Sequence, residues 1–302
     1  MPASQPTSCR QIITRAISCL LLVGLPLGVF ETSFVAAEGV TEPKHKRHPA
    51  VEALTEFARI EEKGQTKFIL RGKLSEKRAR QMERLARAIQ RDVIRRFLSE
   101  KDKSNLPAVD MCLFETSKAY EKFVKAVYAD DEEHSALGFY SPYHRLVVAN
   151  LGRSVGNLRH EMVHALLGDD YQAIPAWLNE GFGALYGTAA WTKKGFRFLV
   201  NYRLRHLRAA RKAGSLPKLD QLAASTRKDV YGLKSGAYYG LARYLLLYLD
   251  RRGKLDEFVR KMRSKPPTAE WQLEVLEEYI DYAAFLKWTD KLKIRPIKSK
   301  RK

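Results

Sequence analysis

The amino-acid sequence predicts an α+β fold: a small strand-containing N-terminal part followed by a mostly helical region. Three observations carry that expectation. Short strand-like runs bounded by Gly, Pro or Ser fall at 66–70, 107–114 and 138–150, all in the first half of the chain. Between the first two runs, Leu85, Ala88, Ile89, Val93 and Phe97 recur at helical spacing. Beyond Val155 the apolar residues fall mainly in longer, helix-compatible stretches. At 302 residues the chain can bury one good-sized core, or a small domain beside a larger one. It contains no internal repeat.

Taken in order, residues 1–37 read as a secretory signal peptide. Arg10 and Arg15 make a basic start, the stretch from Ile17 to Phe30 is mostly apolar, and Val35-Ala36-Ala37 offers a small-residue cleavage site before Glu38. The apolar run falls short of the ~20 residues a spanning helix needs. Cleavage is therefore expected, with export to the periplasm, cell surface or medium and no stable membrane span afterwards. Cys9 and Cys19 leave with that segment. Cys112 remains, inside an apolar strand-like run, and reads as a small buried hydrophobe. Residues 38–50, with Pro43 and Pro49, read as a linker, and 51–64 as a short helix. A strand over 66–70 turns at Gly72.

Ser75 is placed to cap a helix running to Leu98, with a face of Arg and Lys that reads as solvated. Pro107 opens a second strand to Phe114. A helix over 117–128 and an acidic loop at 130–133 follow. Residues 138–150 give two short strands about Ser141-Pro142, with His144 as a surface turn residue. A helix is expected from Val155 to a stop at Gly168, and a second from Ala176. Residues 169–175 join them, and helices joined by so short a loop pack antiparallel. Residues 214–217 are a break. Residues 235–250 form a strongly apolar helix, too short and too rich in Tyr and Arg to cross a bilayer, and so a core helix ended by Gly253. Helices over 256–263 and 268–288 complete the fold.

The two helices around residue 170 carry the chemistry. Residues 160–164 read His-Glu-Met-Val-His and residues 177–181 read Trp-Leu-Asn-Glu-Gly. Positions i and i+4 share a helix face, so His160 and His164 can close on one metal ion. Glu161 points toward the same side without competing for the ion. Glu180, brought back by the second helix, can supply a third ligand. Three protein ligands and one open position are the arrangement of a catalytic Zn2+ site rather than a structural one.

With both segments in view, the chain resembles the gluzincin zinc metallopeptidases of the peptidase MA clan. Residues 177–181 are very close to the corresponding stretch of aminopeptidase N-like enzymes. The resemblance implies zinc held by His160, His164 and Glu180, Glu161 as general base, and Asn179 orienting a ligand from behind. It implies hydrolysis of peptide bonds by zinc-activated water. An edge strand within 138–150 would pair with an extended peptide, and a tyrosine on a later helix would steady the oxyanion. Tyr239 ranks first for that role, ahead of Tyr238 and Tyr231. The interval between His164 and Glu180 is shorter than in aminopeptidase N, and no Gly-x-Met-Glu-Asn element is present, so exopeptidase activity is not implied. The better match is to small bacterial peptidase MA-like proteins. It spans roughly 66–262 and is sharp only in the two zinc segments.

The expected organisation is thus a signal peptide (1–37), a linker or N-terminal segment (38–65), a small α/β subdomain (66–135), a zincin-like catalytic region (136–290) and a basic tail (291–302). The formal net charge is +20. Such a charge draws a protein toward anionic polymers, so an anionic cell-envelope polymer is an expected partner beside a peptide or protein substrate. No nucleic-acid-binding signature accompanies the charge. The alternative reading is a zinc-containing binding protein for such polymers that hydrolyses nothing.

Overall fold

The computed structural model describes residues 47–62, 65–98, 108–128, 135–170, 174–193 and 195–294. The expected signal peptide, most of the linker, the acidic loop at 130–133 and most of the basic tail lie outside the described residues. The fold is α+β. Its elements run α1 (Pro49–Glu52), β1 (Glu56–Glu62), β2 (Gln65–Arg71), α2 (Glu76–Phe97), β3 (Val109–Phe114), α3 (Ser117–Val127), β4 (Gly138–Ser141), β5 (Leu146–Asn150), α4 (Val155–Asp170), α5 (Ala176–Gly187), β6 (Ala190–Thr192), β7 (Gly195–Arg197), α6 (Arg203–Lys212), α7 (Leu219–Ala223), α8 (Arg227–Tyr231), α9 (Ser235–Arg251), α10 (Leu255–Met262), α11 (Ala269–Tyr279) and α12 (Tyr282–Lys291).

Five strands form one mixed sheet in the order β1-β2-β3-β5-β4. The β2–β3 and β3–β5 pairs are parallel, while β1 and β4 are antiparallel edges. Successive residues of a strand point to opposite faces, and both faces here are covered. Met111, Leu113, Val147 and Ala149 join the main core with α2 and the C-terminal helices. Cys112, Phe114, Leu146 and Val148 pack on the other side with Tyr120 and Phe123 of α3. Cys112 is fully buried, and burial pushes its thiol well above its ordinary pKa. The main core runs from Ile60 to Phe285, so packing bridges the boundary expected near residue 135.

Several local expectations are corrected. Of the helix expected over 51–64, only Val51 and Glu52 are helical, at the end of the short turn Pro49–Glu52, and 56–62 are strand. Glu, Ala and Arg there favour a helix locally, but pairing with β2 and burial of Ile60 win. Helix α4 continues past Gly168 to Asp170. The single helix expected over 268–288 is two, because Ile280 leaves helical geometry and Asp281 caps α12 by accepting from the Ala284 N–H. The small β6–β7 hairpin had no counterpart in the sequence reading. The basic face of α2 is not wholly solvated: Arg96 is held by Asp250 and Asp256 at 2.9 and 2.8 Å. Among the described residues, no helix is long and apolar enough to cross a membrane.

Candidate metal centre

Helix α4 starts where Ser154 Oγ accepts from the Gly156 and Asn157 N–H groups. This satisfies two of the donors a helix start leaves open. Helix α5 lies antiparallel beside it. Gly156 approaches Gly187, His160 approaches Gly183, and His164 bonds Asn179. Arg159 locks the pair by donating to the carbonyls of Tyr186 and Gly187 at 2.9 and 2.7 Å, a cation at the C-terminal end of a helix dipole. On its far side α5 packs against α9, with Gly181 close to Ala242 and Leu246. Trp177 is fully buried and donates from Nε1 to Gln272 Oε1 at 2.7 Å. Glu180 is thus fixed by packing on both sides of its helix.

The imidazoles and the Glu180 carboxylate converge. His160, His164 and Glu180 are all buried and offer ligand atoms within 4.8 Å of one another, a set that could hold a metal ion. His160 Nε2 lies 3.3 Å from Glu180 Oε2, and His164 Nε2 lies 3.6 Å from Glu180 Oε1. Donors sharing a tetrahedral ion at ~2.0–2.1 Å stand roughly 3.3–3.4 Å apart, so these spacings suit a shared ion better than direct hydrogen bonds. The orphaned atoms agree: His164 Nε2 and Glu180 Oε2 are buried without a hydrogen-bond partner. Buried polar atoms are nearly always satisfied, and two left open within one cluster mark room for a ligand. The other ring nitrogen of His164, Nδ1, donates to Asn179 Oδ1 at 2.9 Å. Such a bond fixes the tautomer that leaves Nε2 able to bind a metal.

Gly183 is a further member that the sequence reading missed. A Cβ there would stand 2.6–2.8 Å from three atoms of the His160 ring, so only glycine lets the imidazole lie against α5. The signal was available, since a glycine inside a helix is disfavoured and asks for a reason.

The electrostatics are those of charges removed from water. Burial penalises the Glu180 carboxylate, but His164, His160 and the Tyr231 hydroxyl outweigh that and hold its pKa below the usual range. Burial drives His164 down to about 4. For His160, burial also opposes protonation, but Glu180, Glu161 and the Gly183 backbone prevail and raise it. Glu161 is pushed up to about 7, chiefly by burial, with the His160 charge and the Tyr140 backbone of β4 pulling the other way. A carboxyl poised near neutrality can both take and return a proton.

Of the three candidate tyrosines, Tyr231 reaches the cluster: its hydroxyl donates to Glu180 Oε1 at 2.9 Å. Tyr239, on α9, packs edge-on against the Tyr231 ring at 6.5 Å between centroids, with the Arg203 guanidinium 4.7 Å from its own ring. Tyr238 is buried on the same helix, within the field of Asp229. His144 sits exposed at the β4–β5 turn beside Ser141 and Tyr128 and is not part of the cluster. No family model matches the chain, and no curated protein matches its sequence.

Proposed function

We propose that this protein is an exported zinc-dependent metallopeptidase of gluzincin type. The observation that carries the reading is the buried His160–His164–Glu180 cluster with two orphaned ligand atoms, set beside the buried Glu161 carboxyl. Two imidazoles and one carboxylate suit zinc among common ions. His160, His164 and Glu180 would hold it, and Asn179 would keep His164 oriented. When bound, zinc supplies a Lewis acid that polarises the scissile carbonyl and acidifies water.

The chain's own residues do the rest. Glu161 takes the proton of the attacking water and delivers it to the leaving amine. The Tyr231 hydroxyl donates its one proton to Glu180 Oε1 and would turn it to the developing oxyanion, with Tyr239 supporting its ring. Strand β4 is the antiparallel sheet edge beside α4, and an extended peptide can add to such an edge through its backbone.

Metal content of the purified protein, beside His164→Ala, tests the site. One zinc per chain, lost in the variant, is expected. Turnover of a peptide library by the zinc protein, abolished in Glu161→Gln, tests the reaction. Zinc without turnover would favour the non-hydrolytic binding protein, and absence of zinc after reconstitution would remove both readings.

A further inference from the structure

A cation stands beside the cluster. Arg227 opens α8, and its guanidinium lies 5.1 Å from the centroid of the Tyr231 ring. The hydroxyl of that ring donates to Glu180 Oε1 at 2.9 Å. A single aromatic side chain therefore links the guanidinium to the ligand set. Arg227 is half-buried, so its guanidinium is partly ordered. Guanidinium pairs bidentately with carboxylates in a way a lysine cannot, and charges near a low-dielectric site are weakly screened. One extended residue spans about 3.3–3.6 Å, so a peptide lying over the cluster brings a neighbouring residue within reach of Arg227. The +20 formal charge favours the approach of acidic molecules.

We infer that Arg227 is a specificity-determining residue that pairs with a carboxylate of the substrate close to the scissile bond, so that the site prefers anionic peptides. The inference rests on the metallopeptidase reading above. The carboxylate can come from an acidic side chain or from a peptide's own C-terminus.

Both are separated by titrating the cobalt(II)-loaded protein with three thiols and following its visible absorption. N-mercaptoacetyl-alaninamide is neutral, N-mercaptoacetyl-alanine carries a terminal carboxylate, and N-mercaptoacetyl-aspartic acid α-amide carries a side-chain carboxylate. The expected result is that at least one carboxylate probe binds about 10-fold tighter than the neutral one, and the tighter of the two names the source. Arg227→Gln should bring the ratio close to one, and Arg227→Lys should keep part of it. Cobalt uptake, measured first on each variant, reports an intact site. If Arg227→Gln loses it, the ratio in Arg227→Lys decides. Equal binding of all three thiols by the wild-type protein overturns the inference while leaving the metal site standing. So does a preference untouched by either substitution. Failure of the wild-type protein to take up cobalt, or of its spectrum to respond to any thiol, overturns the metallopeptidase reading and the inference with it.

Discussion

Two buried carboxylates in this protein are handled in opposite ways. Asp110, on β3, is bonded at both oxygens: Arg71 Nε donates to Oδ1 at 2.7 Å and Arg47 Nε to Oδ2 at 2.6 Å. Arg71 also reaches Glu56 at 3.4 Å, so the cluster ties β1, β2, β3 and the segment before α1 together. Glu180 is buried more deeply, yet Oε1 accepts one hydrogen bond from Tyr231 while Oε2 has none. Burial is common to both; spare bonding capacity is not. A carboxylate closed on both sides by guanidinium is a clamp, whereas one lying between two imidazoles with an oxygen left open is poised for a ligand.

Substitutions on each side of that contrast can break it. Glu161→Gln should lower peptide turnover by about 10^3-fold while leaving one metal per chain, as read by steady-state assay and elemental analysis. Retained activity would end the general-base role. Asp110→Ala should cost about 3–5 kcal/mol of stability, because it leaves Arg71 buried without its main counter-charge. Urea unfolding would read that loss, and metal affinity should not follow it. A parallel loss of metal binding would mean that the clamp and the cluster are not separate. Asn179→Ala should weaken metal binding by about 10–100-fold through loss of the His164 Nδ1 bond, measured by competition with a chelator. Tyr231→Phe should slow turnover by more than ~10-fold, with a smaller effect from Tyr239→Phe. The reverse order would return the oxyanion role to Tyr239.

A further effect concerns pH. In the metal-free fold Glu161 titrates at about 7, above its ordinary 4.5, so the folded chain keeps a proton that the unfolded chain releases. This group's contribution to stability therefore falls as pH rises from about 4.5 to about 7. Glu161→Gln removes that loss, and its Tm should exceed that of the wild-type apoprotein by a margin that widens over the same interval. A constant margin would show that the carboxyl is not held protonated.

Much of the candidate metal centre was legible in the sequence because its information is local. The spacing of His160 and His164 is a property of one helix, and a short connection is enough to return Glu180 to them. The strands at 66–70, 109–114 and 138–150, and the helices α2 and α9, carried clear periodicities or β-rich runs. Residues 56–62 did not, because their own preferences point to a helix and only β2 makes them a strand. The break at Ile280 was signalled by Asp281, a good N-cap residue, but the surrounding apolar pattern concealed it. Ranking Tyr239 above Tyr231 followed its place before an apolar helix. Which hydroxyl meets Glu180 depends on how α8 packs against α5, and no linear pattern records that.

The sequence by itself determined the α+β class, the candidate ligand triad and the adjacent general-base candidate, since residue chemistry and helical period suffice for those. Tertiary structure alone decided which polar atoms were left unsatisfied, that Gly183 makes room for the His160 ring, and that Tyr231 and Arg227 stand beside the cluster. The reason is physical: these features depend on desolvation and close approach between segments distant in sequence, which exist only once the helices have packed.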